Sequence, residues 1–222
     1  FFAERAVAKI PEAEAASPRK VASIGVIGGG TMGSGIAVAA LNAGLPVTLV
    51  ERDEASAERA RGIVSKLLDD GVRRGKLSEA RRDQILSRDF STATDYSALA
   101  ETDLVIEAVF EDMDVKKDVF RRLDGIAKVG AILATNTSYL DVNEIAAATS
   151  RPQDVIGFHF FSPAHVMRLL EVVVADKTAA DVVATGFALA KKLRKVAVRA
   201  GVCDGFIGNR LLNTYRKAAD YM

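Results

Sequence analysis

The feature that most constrains the fold of this chain is a glycine-rich turn from Gly28 to Gly33, which reads Gly-Gly-Gly-Thr-Met-Gly. Before it, Val21 to Ile27 is a short apolar run rich in β-branched residues, which predicts a strand. After it, Ser34 to Leu41 is small and apolar, which predicts a helix. Glycines at this spacing are weak evidence alone, because a loop can be rich in glycine and bind nothing. The flanking strand and helix make the pattern typical of a phosphate-binding turn.

Five residues of the turn have roles in such a site. Gly28 would allow the sharp turn, Gly30 would let the backbone approach a pyrophosphate, and Gly33 would let the helix pack closely on the strand. Thr31 and Met32 would stand at the helix N-terminus, where unpaired N–H groups can donate hydrogen bonds to phosphate oxygens. The turn therefore predicts a dinucleotide site.

An acid follows the next predicted strand. Val47 to Val50 is a second short apolar run, and it ends at Glu51, 23 residues after Gly28. A carboxylate at that spacing suits the ribose hydroxyls and repels a 2′-phosphate, so NAD is favoured over NADP. Arg52 beside it weakens this preference slightly.

Composition and charge exclude several classes of partner. The 222 residues are enough for one large domain or one domain with additional segments. The net charge of +1 gives no reason to expect nucleic acid or an anionic membrane as a partner. No apolar run reaches about 18 residues, so we expect no membrane-spanning segment. The single cysteine, Cys203, excludes an intrachain disulfide and is expected to be a small buried residue and not a nucleophile. No metal site is predicted.

Between residues 53 and 134, apolar runs of strand length alternate with helical patterns. The predicted elements are a helix at 53–74, a helix that begins at Ser78, a strand at 85–90, a helical turn at 96–99, a strand at 104–109 interrupted by one acid, a helix at 113–128 and a strand at 131–134. Strands separated by helices form parallel βαβ units, so we predict an α/β fold with a Rossmann-type, doubly wound, mostly parallel sheet. Its ligand would lie beyond the carboxyl ends of the strands.

Polar residues follow two of these strands and are candidates for that ligand site. Glu111 and Lys116 come after the fourth strand, and Asn136 and Ser138 after the fifth. A helix-start acid and a solvated lysine would explain Glu111 and Lys116 equally well, and a helix-capping hydroxyl would explain Ser138.

The next two strands have no room for a crossover helix between them. Residues 155–161 and 169–174 predict strands, and residues 162–165 predict a turn. The pair should therefore be an antiparallel hairpin added to the sheet.

This hairpin should pair two chemically significant side chains. His159 and Glu171 lie at equal sequence distances from His165, so a hairpin folded about that point places them opposite each other. An imidazole oriented by a carboxylate has the properties of a general base. A core histidine satisfied by a structural acid is the alternative, but the predicted dinucleotide crevice nearby favours the general base. His165, at the tip of the turn, is expected to be solvated.

Beyond the hairpin, residues 178–191 predict a helix and residues 195–198 a short strand. A further helix begins after Gly201 and continues to Met222 without a stop signal, so we expect it to be the first helix of a truncated all-α domain. Phe1 to Ile10 can form an amphipathic helix that precedes a Pro/Ala/Ser-containing linker. The predicted organisation is therefore a linker segment at 1–20, the Rossmann domain at 21–201 and the start of a helical domain at 202–222.

Five motifs together resemble the 3-hydroxyacyl-CoA dehydrogenase family, and most of all the dehydrogenase part of multifunctional β-oxidation enzymes that also contain an enoyl-CoA hydratase. They are VIGGGTMGSGIA, DLVIEAVFEDMDVKKDVF, ATNTSYL, GFHFFSPAHVMRLLEVV and CDGFIGNRLL, in the order and spacing of the family. The resemblance covers nearly the whole chain. It implies NAD-dependent oxidation of an L-3-hydroxyacyl-CoA to a 3-ketoacyl-CoA in fatty-acid β-oxidation.

The resemblance also assigns roles to individual residues. His159 would be the base that takes the hydroxyl proton, Glu171 would orient it, and Ser138 and Asn209 would hydrogen-bond the hydroxyl and carbonyl region of the substrate. The candidate catalytic residues are thus His159, Glu171, Ser138 and Asn209. The candidate cofactor-binding residues are Gly28, Gly30, Thr31, Met32, Gly33, Glu51, Glu111, Lys116, Asn136 and Ser138.

Two other functions stay open. The resemblance also implies a neighbouring domain and a cellular location. The chain could act only as an NAD-binding module, inactive without a C-terminal domain. A related β-hydroxyacid dehydrogenase is a weaker alternative, because those that use a lysine base would not need the hairpin pair. An enoyl-CoA hydratase domain is expected in the same parent chain. The expected location is the cytoplasm for a bacterial source and the peroxisome for a eukaryotic one.

Overall fold

The computed structural model describes residue 7 and residues 10–220, so the predicted helix at residues 1–10 lies almost entirely outside the described residues. The strands are β1 (Ile24–Ile27), β2 (Val47–Val50), β3 (Phe90–Ala93), β4 (Leu104–Glu107), β5 (Ile132–Thr135), β6 (Val155–Phe160), β7 (Leu169–Val174) and β8 (Val196–Gly201). The helices are α1 (Thr31–Asn42), α2 (Glu54–Arg73), α3 (Glu79–Gln84), α4 (Met113–Ile126), α5 (Val142–Ala146), α6 (Ala180–Lys192) and α7 (Gly208–Asp220). Short 3₁₀ turns lie at Pro11–Ala13, Tyr96–Leu99 and Pro152–Asp154.

The strands form one eight-stranded sheet in the order β3-β2-β1-β4-β5-β6-β7-β8. Neighbouring strands are parallel except β6 and β7, which form the predicted antiparallel pair. The strand order reverses beside β1, so a crevice opens beyond its carboxyl end, as in doubly wound folds. The predicted Rossmann-type sheet with an added hairpin is confirmed.

The sheet is buried on both faces, which explains the near-continuous apolar strands. Ile24 and Val26 of β1 belong to one apolar cluster, which also includes residues of α1, α2 and α6. Ile27 contacts a second cluster, which includes Phe120 of α4 and Ile145 of α5. Because every central strand is enclosed by helices, its carboxyl end is held in a fixed position.

An arginine anchors the segment before β1 to the amino end of the sheet. Arg19 Nη1 lies 2.7 Å from Asp154 Oδ1, and Arg19 Nε lies 2.7 Å from Asp181 Oδ2. The guanidinium therefore fixes this segment against the start of β6 and the start of α6, on the side of the sheet away from the glycine turn.

Several predicted boundaries differ from the structure. The strand predicted at 85–90 is wrong, because Ile85–Asp89 is a π-helical turn that continues α3, and β3 begins only at Phe90. Ile85 is completely buried there, and a short apolar run suits the buried side of a helix as well as a strand. The first strand begins at Ile24, three residues later than predicted, and the short helix α5 was not predicted.

Among the described residues, no helix is both long and apolar enough to cross a membrane. Within the same part of the chain, no group of three or more acidic, histidine or cysteine side chains has the geometry to hold a metal ion.

Candidate active site

The glycine turn joins β1 to α1 in a conformation that depends on its glycines. Gly28 has φ = 91°, which side chains other than glycine rarely adopt, and its N–H donates to Val50 O at 3.0 Å. A Cβ on Gly33 would lie 1.8 Å from Gly28 O, so no side chain fits there. Among the described residues, no atom lies within 4 Å of a Cβ on Gly30. The turn is therefore closed against the protein at Gly33 and open on its outer side at Gly30, as a pyrophosphate requires.

Glu51 closes the same turn from the end of β2. Its Oε1 accepts a hydrogen bond from Gly29 N–H at 2.7 Å, and Ser34 Oγ donates to Gly29 O at 2.7 Å. Thr31 and Met32 occupy the first turn of α1, with Thr31 exposed and Met32 half-buried. The carboxylate, the glycine turn and the N–H groups at the start of α1 thus lie side by side and fit a dinucleotide.

The loop between β4 and α4 is flanked by a buried ion pair. Lys116 Nζ lies 2.6 Å from Glu107 Oε1, and both side chains are 0% exposed. Glu107 Oε1 also accepts from Val109 N–H at 2.7 Å, and its Oε2 accepts from Thr135 Oγ1 at 2.7 Å. The alternative that made Lys116 a solvated lysine is therefore wrong.

Glu111 connects this loop to the loop after β5. Its Oε1 accepts hydrogen bonds from Thr137 Oγ1 at 2.6 Å and from Ser138 N–H at 2.7 Å, and its Oε2 lies 3.4 Å from Lys116 Nζ. Burial alone would raise the pKa of Glu111, but these hydrogen bonds and the lysine charge outweigh it and hold the pKa below its usual value. Asp141 caps α5 instead of Ser138, so the capping explanation of Ser138 is also wrong.

Asn136 ties the end of β5 to the end of β6. Its Oδ1 accepts from Phe160 N–H at 3.0 Å, immediately beside His159. At the end of β1, a Cβ on Gly28 would lie 2.8 Å from Ala108 O, so the glycine turn lies against the loop after β4. The loops after β1, β4 and β5 and the end of β6 therefore lie against one another, each beside the next, along this edge of the sheet.

The hairpin pairs His159 with Glu171, as predicted from their spacing about His165. His159 Nδ1 lies 2.7 Å from Glu171 Oε2, and the residues are 3% and 1% exposed. An ionised carboxylate can only accept a hydrogen bond, so the contact places the proton on Nδ1 and leaves Nε2 as the basic nitrogen.

The chain after β8 folds back to cover this pair. Glu171 Oε1 accepts from Gly208 N–H at 2.7 Å and from Ile207 N–H at 3.2 Å. The ring of Phe206 lies 5.6 Å from the His159 ring, and Phe206 has φ = 47°, a strained value for a bulky residue. Asn209 follows directly in the first turn of α7, so the fold-back brings it toward the His159–Glu171 pair.

Residues 23–203 match the family model described as 3-hydroxyacyl-CoA dehydrogenase, NAD binding domain. The chain belongs to the 3-hydroxyacyl-CoA dehydrogenase family. Its cofactor is NAD, and the glycine turn, Glu51 and the N-terminus of α1 provide the fit for it.

Relatives of this dehydrogenase domain are longer proteins. The peroxisomal bifunctional enzyme of Cavia porcellus is 44% identical over 227 residues, which cover 100% of this chain and 31% of the relative. The fatty acid oxidation complex subunit alpha of Shewanella amazonensis is 40% identical over 220 residues, which cover 99% of this chain and 31% of the relative. The chain thus spans about a third of the length of the curated relatives it matches.

The structural likeness is equally close. The crystal structure of 3-hydroxybutyryl-CoA dehydrogenase from Escherichia coli K12 superimposes with a TM-score of 0.87 at 39% identity, covering 90% of this chain and 42% of that one.

Two minor expectations for the dehydrogenase domain are wrong. His165 is half-buried instead of solvated, and its Nδ1 is buried with no hydrogen-bond partner among the described residues. Burial and the positive charges of Lys195, Arg74 and Lys76 lower its pKa. Cys203, expected to be buried, is exposed.

Sequence reasoning missed three residues of the site. Glu107 carries the buried ion pair, and its signal was visible as the one acid within an otherwise apolar strand. Gly208 holds Glu171 through its main-chain N–H, and Phe206 contacts His159, but both contacts depend on a fold-back that no local pattern predicts.

Proposed function

We propose that this chain supplies the cofactor site and the general base for NAD-dependent oxidation of an L-3-hydroxyacyl-CoA to a 3-ketoacyl-CoA in fatty-acid β-oxidation. The observation that carries the proposal is the buried hydrogen bond of 2.7 Å between His159 Nδ1 and Glu171 Oε2, at the end of the crevice lined by the glycine turn. The name of the Escherichia coli neighbour, a 3-hydroxybutyryl-CoA dehydrogenase, supports the same reaction class.

His159 is the proposed base. Its Nε2 accepts the proton of the substrate's C3 hydroxyl while Glu171 stabilises the imidazolium that forms. The rings of Phe161 and Phe206, 4.5 Å and 5.6 Å from the His159 ring, keep water away from this side of the imidazole. The excluded water strengthens the interaction between the carboxylate and the imidazolium.

Ser138 and Asn209 are the proposed hydrogen-bonding partners of the substrate's hydroxyl and carbonyl region. The N–H of Ser138 is held by Glu111, which fixes the backbone that carries the hydroxyl. Asn209 is fixed through its neighbour Gly208, whose N–H donates to Glu171. Positioning of this kind lets the base and the reacting carbon meet in one geometry.

The proposed cofactor contacts follow the crevice from the turn to the base. Gly28, Gly30, Thr31, Met32 and Gly33 would surround the pyrophosphate and Glu51 the ribose hydroxyls. Glu111, Lys116, Asn136 and Ser138 would lie along the nicotinamide half. When bound, NAD accepts the hydride that leaves C3 of the substrate.

The proposal also includes the domain boundaries, a neighbouring domain in the same parent chain and the cellular location. The division at 1–20, 21–201 and 202–222 is supported by α7, in which no residue is buried and Leu211 and Tyr215 are 66% and 73% exposed. An enoyl-CoA hydratase domain in the same parent chain is supported by the bifunctional name of the Cavia porcellus relative. We place the protein in the cytoplasm of a bacterial source or the peroxisome of a eukaryotic one, since relatives of both origins match.

The experiment is a titration of the chain with NADH, followed by fluorescence, and then addition of acetoacetyl-CoA while the nicotinamide absorbance is recorded. We expect NADH binding and consumption in the wild type. His159→Gln should lower turnover by about 10³-fold with little change in NADH affinity, because the glutamine removes only the base.

The chain offers a matched control, since it contains two histidines. His165→Gln changes a histidine outside the His159–Glu171 pair and should keep turnover. Near-normal turnover by His159→Gln would remove His159 from the proposed role. Binding without consumption in the wild type would favour the NAD-binding module, and no binding by folded protein would contradict the cofactor site itself.

A further inference from the structure

We infer that Glu107 is a positioning residue of the cofactor site, which acts through Lys116 on the two loops along the nicotinamide half. The inference rests on the proposed function and adds to it a residue that does not touch the ligand. Glu107 ends β4, where its backbone pairs with Ile27 of β1 and Thr135 of β5. It is therefore the residue at the centre of the sheet from which the crevice loops diverge.

The acceptors around Lys116 account for all of its donors. An ammonium group has three N–H donors. Lys116 Nζ lies 2.6 Å from Glu107 Oε1, 3.4 Å from Glu111 Oε2 and 3.5 Å from Val109 O. The side chain is 0% exposed, so these protein acceptors hold the ammonium in place. Lys116 would thus fix the residues around it along the proposed cofactor crevice.

The fixed residues belong to both crevice loops. Glu107 Oε1 accepts from Val109 N–H while Lys116 contacts Val109 O, so the pair holds both sides of one peptide segment after β4. Glu111, the other carboxylate near Lys116, accepts from Ser138 N–H after β5. A displacement of Lys116 would therefore move both loops.

The charge balance makes this arrangement depend on Glu107. Lys116 lies between two carboxylates, one fully buried and one 36% exposed. Without the charge of Glu107, the buried ammonium would have only Glu111 as an ionic partner, and a buried charge without its partner is strongly unfavourable. Glu111 would then be drawn toward Lys116 and away from Ser138 N–H.

The test compares Glu107→Gln, Lys116→Met and the double variant in NADH titrations and thermal unfolding. We expect each single variant to weaken NADH affinity by about tenfold, measured on folded protein. The double variant leaves no unpaired buried charge, so it should fold even if a single variant does not. Its affinity loss should equal that of a single variant, because the two residues act as one pair.

A surface ion pair that includes the next residue of the same helix provides the control. Lys117 Nζ lies 2.8 Å from Glu144 Oε2, with side chains 24% and 57% exposed. Lys117→Met and Glu144→Gln remove the same charges from the surface and should leave NADH affinity unchanged.

The outcomes separate this inference from the proposed function. A lower melting temperature with unchanged NADH affinity in the double variant would make the pair merely structural and overturn the inference. NADH binding by the wild type in the same experiment would still support the proposed cofactor site. Absence of NADH binding by the folded wild type would instead contradict the proposed function, and the inference with it.

Discussion

Glu171 accepts a hydrogen bond of 2.7 Å from the main-chain N–H of Gly208, so the carboxylate that orients His159 also holds the first residue of α7. A Cβ on Gly208 would lie 2.8 Å from Cζ of Phe161, whose ring lies 4.5 Å from the His159 ring. The start of α7 and the His159–Glu171 pair therefore cannot move independently. Any displacement of the helix would change the orientation of the proposed base.

Gly208→Ala is expected to lower turnover of acetoacetyl-CoA on the order of 10²-fold, because the methyl group displaces Phe161 and the Gly208 N–H from Glu171. NADH affinity should stay near that of the wild type, since the glycine turn lies several strands away. Steady-state kinetics with a parallel NADH titration measure both. Gly62→Ala is the control, because among the described residues no atom outside the backbone of its own helix and its chain neighbours lies within 4 Å of the new methyl group. Unchanged turnover in Gly208→Ala would show that the base does not depend on this contact.

Gly30→Ala and Gly33→Ala should affect the glycine turn in different ways. At Gly30 the new methyl group meets no atom of the described residues within 4 Å, so the protein should fold with a loss of about 1 kcal/mol or less at this helix cap. The methyl group would occupy the space proposed for the pyrophosphate, so NADH affinity should fall at least about tenfold. At Gly33 the methyl group would overlap Gly28 O, and the melting temperature should fall as well. Full NADH affinity in Gly30→Ala would place the pyrophosphate elsewhere.

Glu51→Gln should reduce the preference for NADH over NADPH. The glutamine oxygen can still accept from Gly29 N–H, so the turn keeps its shape, but the charge that repels a 2′-phosphate is lost. Removing one such repulsion is worth about 1 kcal/mol, or about fivefold in the ratio of dissociation constants. Fluorescence titrations with both cofactors measure the ratio. A ratio equal to that of the wild type would exclude charge repulsion by Glu51 as the basis of selectivity.

The acid stability of the chain should depend on Glu111. Its pKa in the folded protein is lower than the usual 4.5, so its ionised form stabilises the fold above that pH and the stabilisation is lost as the pH falls through the lower folded-state pKa. The melting temperature of the wild type should therefore exceed that of Glu111→Gln by a constant amount above pH 4.5, and the difference should shrink below it. Glu58→Gln, at an exposed position of α2, controls for the loss of one surface charge. A melting-temperature difference that grows as the pH falls would contradict the predicted stabilisation by ionised Glu111.

The fold was predictable where local pattern and global architecture agree. The glycine turn fixed the order strand, turn, helix, and the equal spacing of His159 and Glu171 about His165 gave the observed register of the hairpin. Both inferences use short-range geometry, which a sequence records directly. The error at Ile85 arose because burial on a helix and burial in a strand select the same residue types.

The remaining parts of the site depend on contacts between distant segments. A lysine on a charged helix is solvated in most proteins, and Lys116 differs only because Glu107 lies beneath it at the end of β4. The contact of Gly208 with Glu171 joins residues 37 apart in the sequence. No periodic pattern records such a contact, because neither residue type is unusual where it stands.

The sheet order also sets a length. Three strand spacings, about 14 Å, separate β1, which leads into the glycine turn, from β6, which carries His159. The intervening strands β4 and β5 are buried along their whole length, so this span cannot adjust to a shorter ligand. A mononucleotide or free nicotinamide would contact one end at a time, whereas two nucleotides joined through a diphosphate reach both. The spacing of the strands thus selects a ligand by its length, independently of any hydrogen bond.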